Sequence, residues 1–145
     1  MTETEEFPSF SLQDALIAAM VGVSASDANP TTREMLSISR MIETLPIFDG
    51  YDVDRVRVIG ETVFDLLTEE DGLDALFGLM RDALPSALRE TAYALCCDVA
   101  AADGHAFQAE LRYLLELREE LDIDRLHAAA IERGSAARHR RLPAE

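Results

Sequence analysis

The chain has 145 residues, enough for one domain with a substantial core, and its apolar fraction of 48% is ordinary for a globular protein. Its formal charge of −15 is not ordinary. Such a surface repels nucleic-acid phosphates and favours cations or a basic partner. The first residues, Met1-Thr2-Glu3-Thr4-Glu5-Glu6, are acidic, unlike the basic start of a signal peptide. The longest apolar run, Ala15 to Val23, falls well short of the roughly 20 residues a membrane span needs. A cytoplasmic protein with no membrane insertion is expected. The adjacent Cys96 and Cys97 would point about 100° apart on a helix. They are expected to be small apolar side chains in a reducing compartment rather than a disulfide.

In chain order, residues 1–10 form an acidic arm. Ser11 is placed to cap a first helix, with Asp14 as the reciprocal carboxylate. Leu12, Ala15, Leu16, Ala19, Met20 and Val23 give that helix one apolar face. Asp27, Asn29 and Pro30 break the pattern, and Pro30 or Thr31 opens a second helix. Met35, Ile38, Met41, Ile42 and Leu45 would face inward there, and Pro46 stops it. After an Asp49-Gly50 turn, a third helix carries Val56, Ile59, Val63, Phe64 and Leu67. A fourth carries Leu73, Leu76, Phe77, Met80 and Leu84. Pro85 or Ser86 starts a fifth, with Leu88, Ala92, Leu95, Cys96 and Val99 inside. A sixth begins near Phe107 and is expected to bury Leu111, Leu114, Leu115 and Leu121. Asp122 or Asp124 starts a seventh, containing Leu126, Ala130 and Ile131. No run alternates with period two. The expectation is an all-α fold of about seven helices in one compact domain over residues 11–133, with a basic tail over residues 134–145.

The chain repeats itself. Asp27 precedes Asp103 by 76 positions (103 − 27), and Glu34 precedes Glu110 by the same offset. Ala25 then matches Ala101, Ile38 matches Leu114, Met41 matches Leu117 and Leu45 matches Leu121. Apolar and acidic positions that share one offset indicate a duplicated helix–acidic turn–helix unit, a pseudo-twofold pair.

Two readings of the acidic turns stand side by side. In one, Asp103, Gly104 and Glu110 only shape a turn and cap a helix. In the other they hold a cation. Asp103, Gly104 and Glu110 have the spacing of the middle aspartate, the glycine and the final glutamate of an EF-hand loop. The earlier ligand positions, however, are the apolar Val99 and Ala101, so this is not an EF-hand. A looser oxygen site could use Asp98, Asp103 and Glu110, with Asp27 and Glu34 alongside, and would suit Ca²⁺ or Mg²⁺. His105, His127 and His139 are too scattered for zinc. There is no phosphate loop, no nucleophile elbow and no Ser-His-Asp set. A catalytic role is not expected.

Around Ala101-Ala102-Asp103-Gly104 and Glu110, preceded by the apolar fifth helix, the chain resembles the bacterial tellurite-resistance protein B (TerB-like) family. The resemblance extends from about Leu12 to Ile131. It departs in the first repeat, where Ala28-Asn29-Pro30 replaces the usual glycine turn. It implies an all-helical fold and a place in tellurite resistance or a related stress response. It also implies a metal-sensing or scaffold role near the membrane through partner proteins. Direct chemistry on tellurite is not expected, because an oxyanion would be repelled by this surface. The expected function is a non-catalytic module that binds a divalent cation at its acidic turns and works through protein partners. The alternative is a metal-free helical scaffold whose acidic turns only cap helices.

Overall fold

The computed structural model describes residues 10–26, 31–102 and 108–143. The regular elements among them are seven α-helices and one short 3₁₀ turn: α1 (Leu12–Ala25), α2 (Thr32–Thr44), the 3₁₀ turn Pro46–Phe48, α3 (Arg55–Leu67), α4 (Gly72–Ala83), α5 (Ser86–Ala101), α6 (Gln108–Glu120) and α7 (Arg125–Arg138). The all-α expectation holds. No helix among the described residues is long and apolar enough to cross a membrane.

Helix α1 is the centre. Every residue from Asp14 to Ser24 is buried, because α2, α3, α4, α5 and α6 all pack on it. A helix that is apolar all round must be enclosed in this way. Its small residues allow the close approach. At Gly22 an added Cβ would collide with the Tyr113 hydroxyl. That hydroxyl donates to the Ala19 carbonyl at 2.9 Å and so ties α6 to α1. Gly72 serves the α3–α4 corner in the same way, since a Cβ there would overlap the Leu66 carbonyl oxygen.

The duplication is visible in the packing. Shifted by 76 residues, α2 coincides with α6 at both ends, and the end of α1 coincides with the end of α5. Helix α1 packs on α5 at the middle of the molecule. Exchanging α1 with α5, α2 with α6 and α3 with α7 then turns each neighbour relation into another that is present. The α1–α3 contact becomes α5–α7, α1–α2 becomes α5–α6, and α1–α6 becomes α5–α2. Helix α4, packed on α1, α3 and α6, stands outside this exchange.

Local signals explain most of the boundaries. Ser11 and Asp14 form the expected capping box, and Thr31 and Glu34 form a second. Asp49-Gly50 makes its turn with Gly50 at φ 77°. Asp124, rather than Asp122, caps α7 through the N–H groups of Leu126 and His127, and these bonds lower its carboxyl pKa.

Several inward positions differ from expectation. In α6, Leu111 and Leu115 are exposed, and the buried face is Glu110, Tyr113, Leu114, Leu117 and Leu121. Tyr113 sets that rotation through its bond to Ala19 and its packing on Phe77, with ring centroids 5.7 Å apart. Met35, the repeat partner of Leu111, is exposed too, as is Phe64. Helix α7 continues to Arg138, into the segment expected as a basic tail, and Ser135 is buried. The first basic residue of the expected tail is therefore helical.

Candidate functional site

Three carboxylates sit at the third position of a helix, and all three are buried: Asp14 in α1, Glu34 in α2 and Glu110 in α6. Burying a carboxylate is costly unless hydrogen bonds and a counter-charge answer it. The three are not answered alike.

Asp14 is fully served. Its Oδ2 accepts from the Ser11 N–H at 3.0 Å and from Arg55 Nη2 at 2.6 Å. Its Oδ1 accepts from Arg55 Nε at 3.0 Å and from the Tyr51 hydroxyl at 2.7 Å. Burial alone would raise its pKa, but the Arg55, Ser11 and Tyr51 bonds outweigh it and hold the carboxyl at about 2.

Glu34 is served on one side only. Its Oε1 accepts from the Thr31 N–H at 2.9 Å and from the Thr31 hydroxyl at 3.1 Å, and its own N–H donates to that hydroxyl at 3.1 Å. The residue is 0% exposed, and its Oε2 has no hydrogen-bond partner among the described residues. No basic side chain among them forms an ion pair with it. Glu110, its repeat partner, is 0% exposed at the equivalent point of α6.

The remaining expected ligands are placed as follows. Asp27 and Asp103 lie outside the described residues, as does His105. Asp98 is on α5, and its Oδ1 accepts from Arg138 Nη2 at 2.7 Å, so its charge is already answered. No group of three or more His, Cys, Asp or Glu that could hold a metal is assembled among the described residues. The partly answered Glu34 carboxylate does fit a hard divalent cation, which takes oxygen donors and would supply the counter-charge that Arg55 supplies to Asp14.

Other reactive groups are quiet. Cys96 and Cys97 are unbridged and buried. Burial raises both thiol pKa values, that of Cys97 to about 12, so neither is a thiolate at neutral pH. Tyr93 and Arg118 both donate to Glu132, at 2.6 and 3.0 Å, and join α5, α6 and α7. His127 Nδ1 lies 3.1 Å from Glu90, a surface pair that raises the histidine pKa.

Sequence spacing alone finds the Ser11–Asp14 box, but not Arg55 or Tyr51, which stand 41 and 37 residues from Asp14. It marks Glu34 as acidic, but not as buried with one oxygen unserved among the described residues.

Comparison with known proteins agrees with this architecture. A family model described as Tellurite resistance protein TerB matches residues 13–133. No curated protein and no solved structure matches the chain. The match covers all seven helices except the last residues of α7 and the first of α1. The chain belongs to the TerB family of tellurite-resistance proteins.

Proposed function

We propose that this chain is a non-catalytic, cytoplasmic module of tellurite resistance or a related stress response, which binds a divalent cation and acts through protein partners. The cation, Ca²⁺ or Mg²⁺, is held at the acidic turns by Glu34 and Glu110, with Asp27 and Asp103 as their companions. Asp98 is left out of that ligand set because Arg138 already holds it. The observation that carries the reading is Glu34: a wholly buried carboxylate with one oxygen unserved among the described residues, beside a turn that the sequence duplicates. A hard cation would complete it.

A second reading rests on the Thr31–Glu34 capping box. There the acidic turns only close helix ends, and the module is a metal-free scaffold. Calorimetric titration of chelator-treated protein with Ca²⁺ and with Mg²⁺ at near-physiological salt separates the two. Saturable binding of defined stoichiometry, lost in Glu34→Gln and in Asp103→Ala with helix content unchanged, is expected. Diffuse heats that vanish with salt would leave the scaffold reading.

A further inference from the structure

A groove of about 520 Å³ runs along the outer side of α2, closed by the end of α5 and by the segment after α7. We propose that it docks an acidic peptide segment of a partner protein, one carrying at least two carboxylates and an apolar anchor. This rests on the partner-binding half of the function above and is independent of the cation.

Arg33 and Arg40 line the groove from α2, and His139 lines it from the far side. Both arginines are exposed, and neither has an ion-pair partner among the described residues. The acid that lines the groove, Asp98, is already held by Arg138 at 2.7 Å. Five of the eleven other arginines are answered by carboxylates among the described residues. Arg55, Arg57, Arg81, Arg118 and Arg138 all pair with carboxylates. On a chain of formal charge −15, a strip with two arginines unanswered among the described residues is complementary to an acidic ligand.

Spacing and hydrophobicity then narrow the ligand. Seven residues separate Arg33 from Arg40, two helical turns or roughly 10 Å of rise. One small oxyanion bridges that distance poorly. Two carboxylates about three residues apart on an extended segment match it, at roughly 3.3 Å per residue. Between the arginines stand Leu36, 52% exposed, and Ser37, so the groove offers an apolar contact flanked by charge. A nucleic-acid strand would supply the negative charge but would have to approach a strongly acidic body.

The test is a selection of displayed random peptides on the full chain, followed by fluorescence anisotropy of the enriched sequences. Peptides with acidic residues on either side of an apolar one are expected. Binding should weaken at least about tenfold in Arg33→Glu/Arg40→Glu, weaken several-fold in Leu36→Ala, and fall with added salt. Arg57→Glu, an exposed charge reversal on α3, should leave binding unchanged, and circular dichroism should show each variant folded. Enrichment of neutral or basic peptides, or binding indifferent to Arg33 and Arg40, would overturn the proposal. So would a self-associated state of the protein dissolved by Arg33→Glu/Arg40→Glu, which would make a second copy the occupant. If the groove variant retains a partner that the wild type captures, the groove is wrong while the partner-binding reading stands.

Discussion

The boxes at the start of α1 and of α2 are built alike and finished differently. In each, a hydroxyl residue caps the helix and a carboxylate three positions on reaches back to the cap N–H. Both carboxylates are buried. Asp14 is completed from outside its helix by Arg55 and Tyr51. Glu34 stops at Thr31, and its second oxygen is left over among the described residues. The backbone caps are equivalent, so the difference lies in counter-charge. A helix end needs only the cap. A buried carboxylate needs an opposite charge as well. The first box is therefore a finished structural joint, and the second keeps one oxygen unserved among the described residues, which under the proposed function a cation would complete.

Breaking the first box should cost most. Asp14→Ala strands Arg55 and the Tyr51 hydroxyl and removes the cap. About 2–3 kcal/mol of stability should go, discounted because Arg55 is partly exposed and can turn to water. For a chain of this size that is a fall in Tm of about 5–10 °C, measurable by thermal unfolding.

Acid should erase much of the same advantage. The folded-state carboxyl of Asp14 titrates at about 2, below its usual 3.8. Its contribution is complete above about pH 4 and is lost as the pH falls through 3.8 toward 2. Denaturant titrations across that window should show the wild type losing on the order of 2 kcal/mol more than Asp14→Ala. Parallel losses in the two proteins would show that Arg55 does not hold the carboxylate.

A smaller effect is expected at Thr31. Thr31→Ala removes the acceptor of the Glu34 N–H and the hydroxyl that donates to Glu34 Oε1, for a loss of about 1 kcal/mol. Thr31→Ser should restore it. A loss as large as that of Asp14→Ala would mean that the two boxes carry equal weight, and the contrast between them would fail.

The helices and their duplication follow from local patterns. Apolar periodicity, Pro85 and the capping signals place the seven helices, and the 76-residue offset anticipates the coincidence of α2 with α6. The choice of face in α6 does not follow from pattern alone. Leu111 and Leu115 compete with Tyr113 for the interior, and the tyrosine's bond to Ala19, 94 residues away, decides it. Helix α7 runs past Gly134 into the segment expected as a tail, with Ala128 and Ser135 buried along it. The site divides the same way. Asp98 and Asp14 stand out as acids in the sequence, but their states depend on partners distant in the chain. Arg138 claims Asp98 across 40 residues, and Arg55 claims Asp14 across 41. The groove draws on α2, α5 and the residue after α7, and no local motif announces it.

The most direct test is the thermal midpoint of Glu34→Gln, measured in chelating buffer and again with excess Ca²⁺. Glutamine keeps an acceptor for the Thr31 N–H and puts an uncharged amide NH2 in place of the second oxygen. In chelator the Tm of the variant is expected to equal or exceed that of the wild type, because a buried carboxyl with one oxygen unserved among the described residues is gone. Ca²⁺ at about 100 times its Kd should stabilise the wild type by about 2.7 kcal/mol and leave the variant unmoved. A variant destabilised in chelator as strongly as Asp14→Ala, with Ca²⁺ indifferent to both proteins, would contradict the cation reading of Glu34.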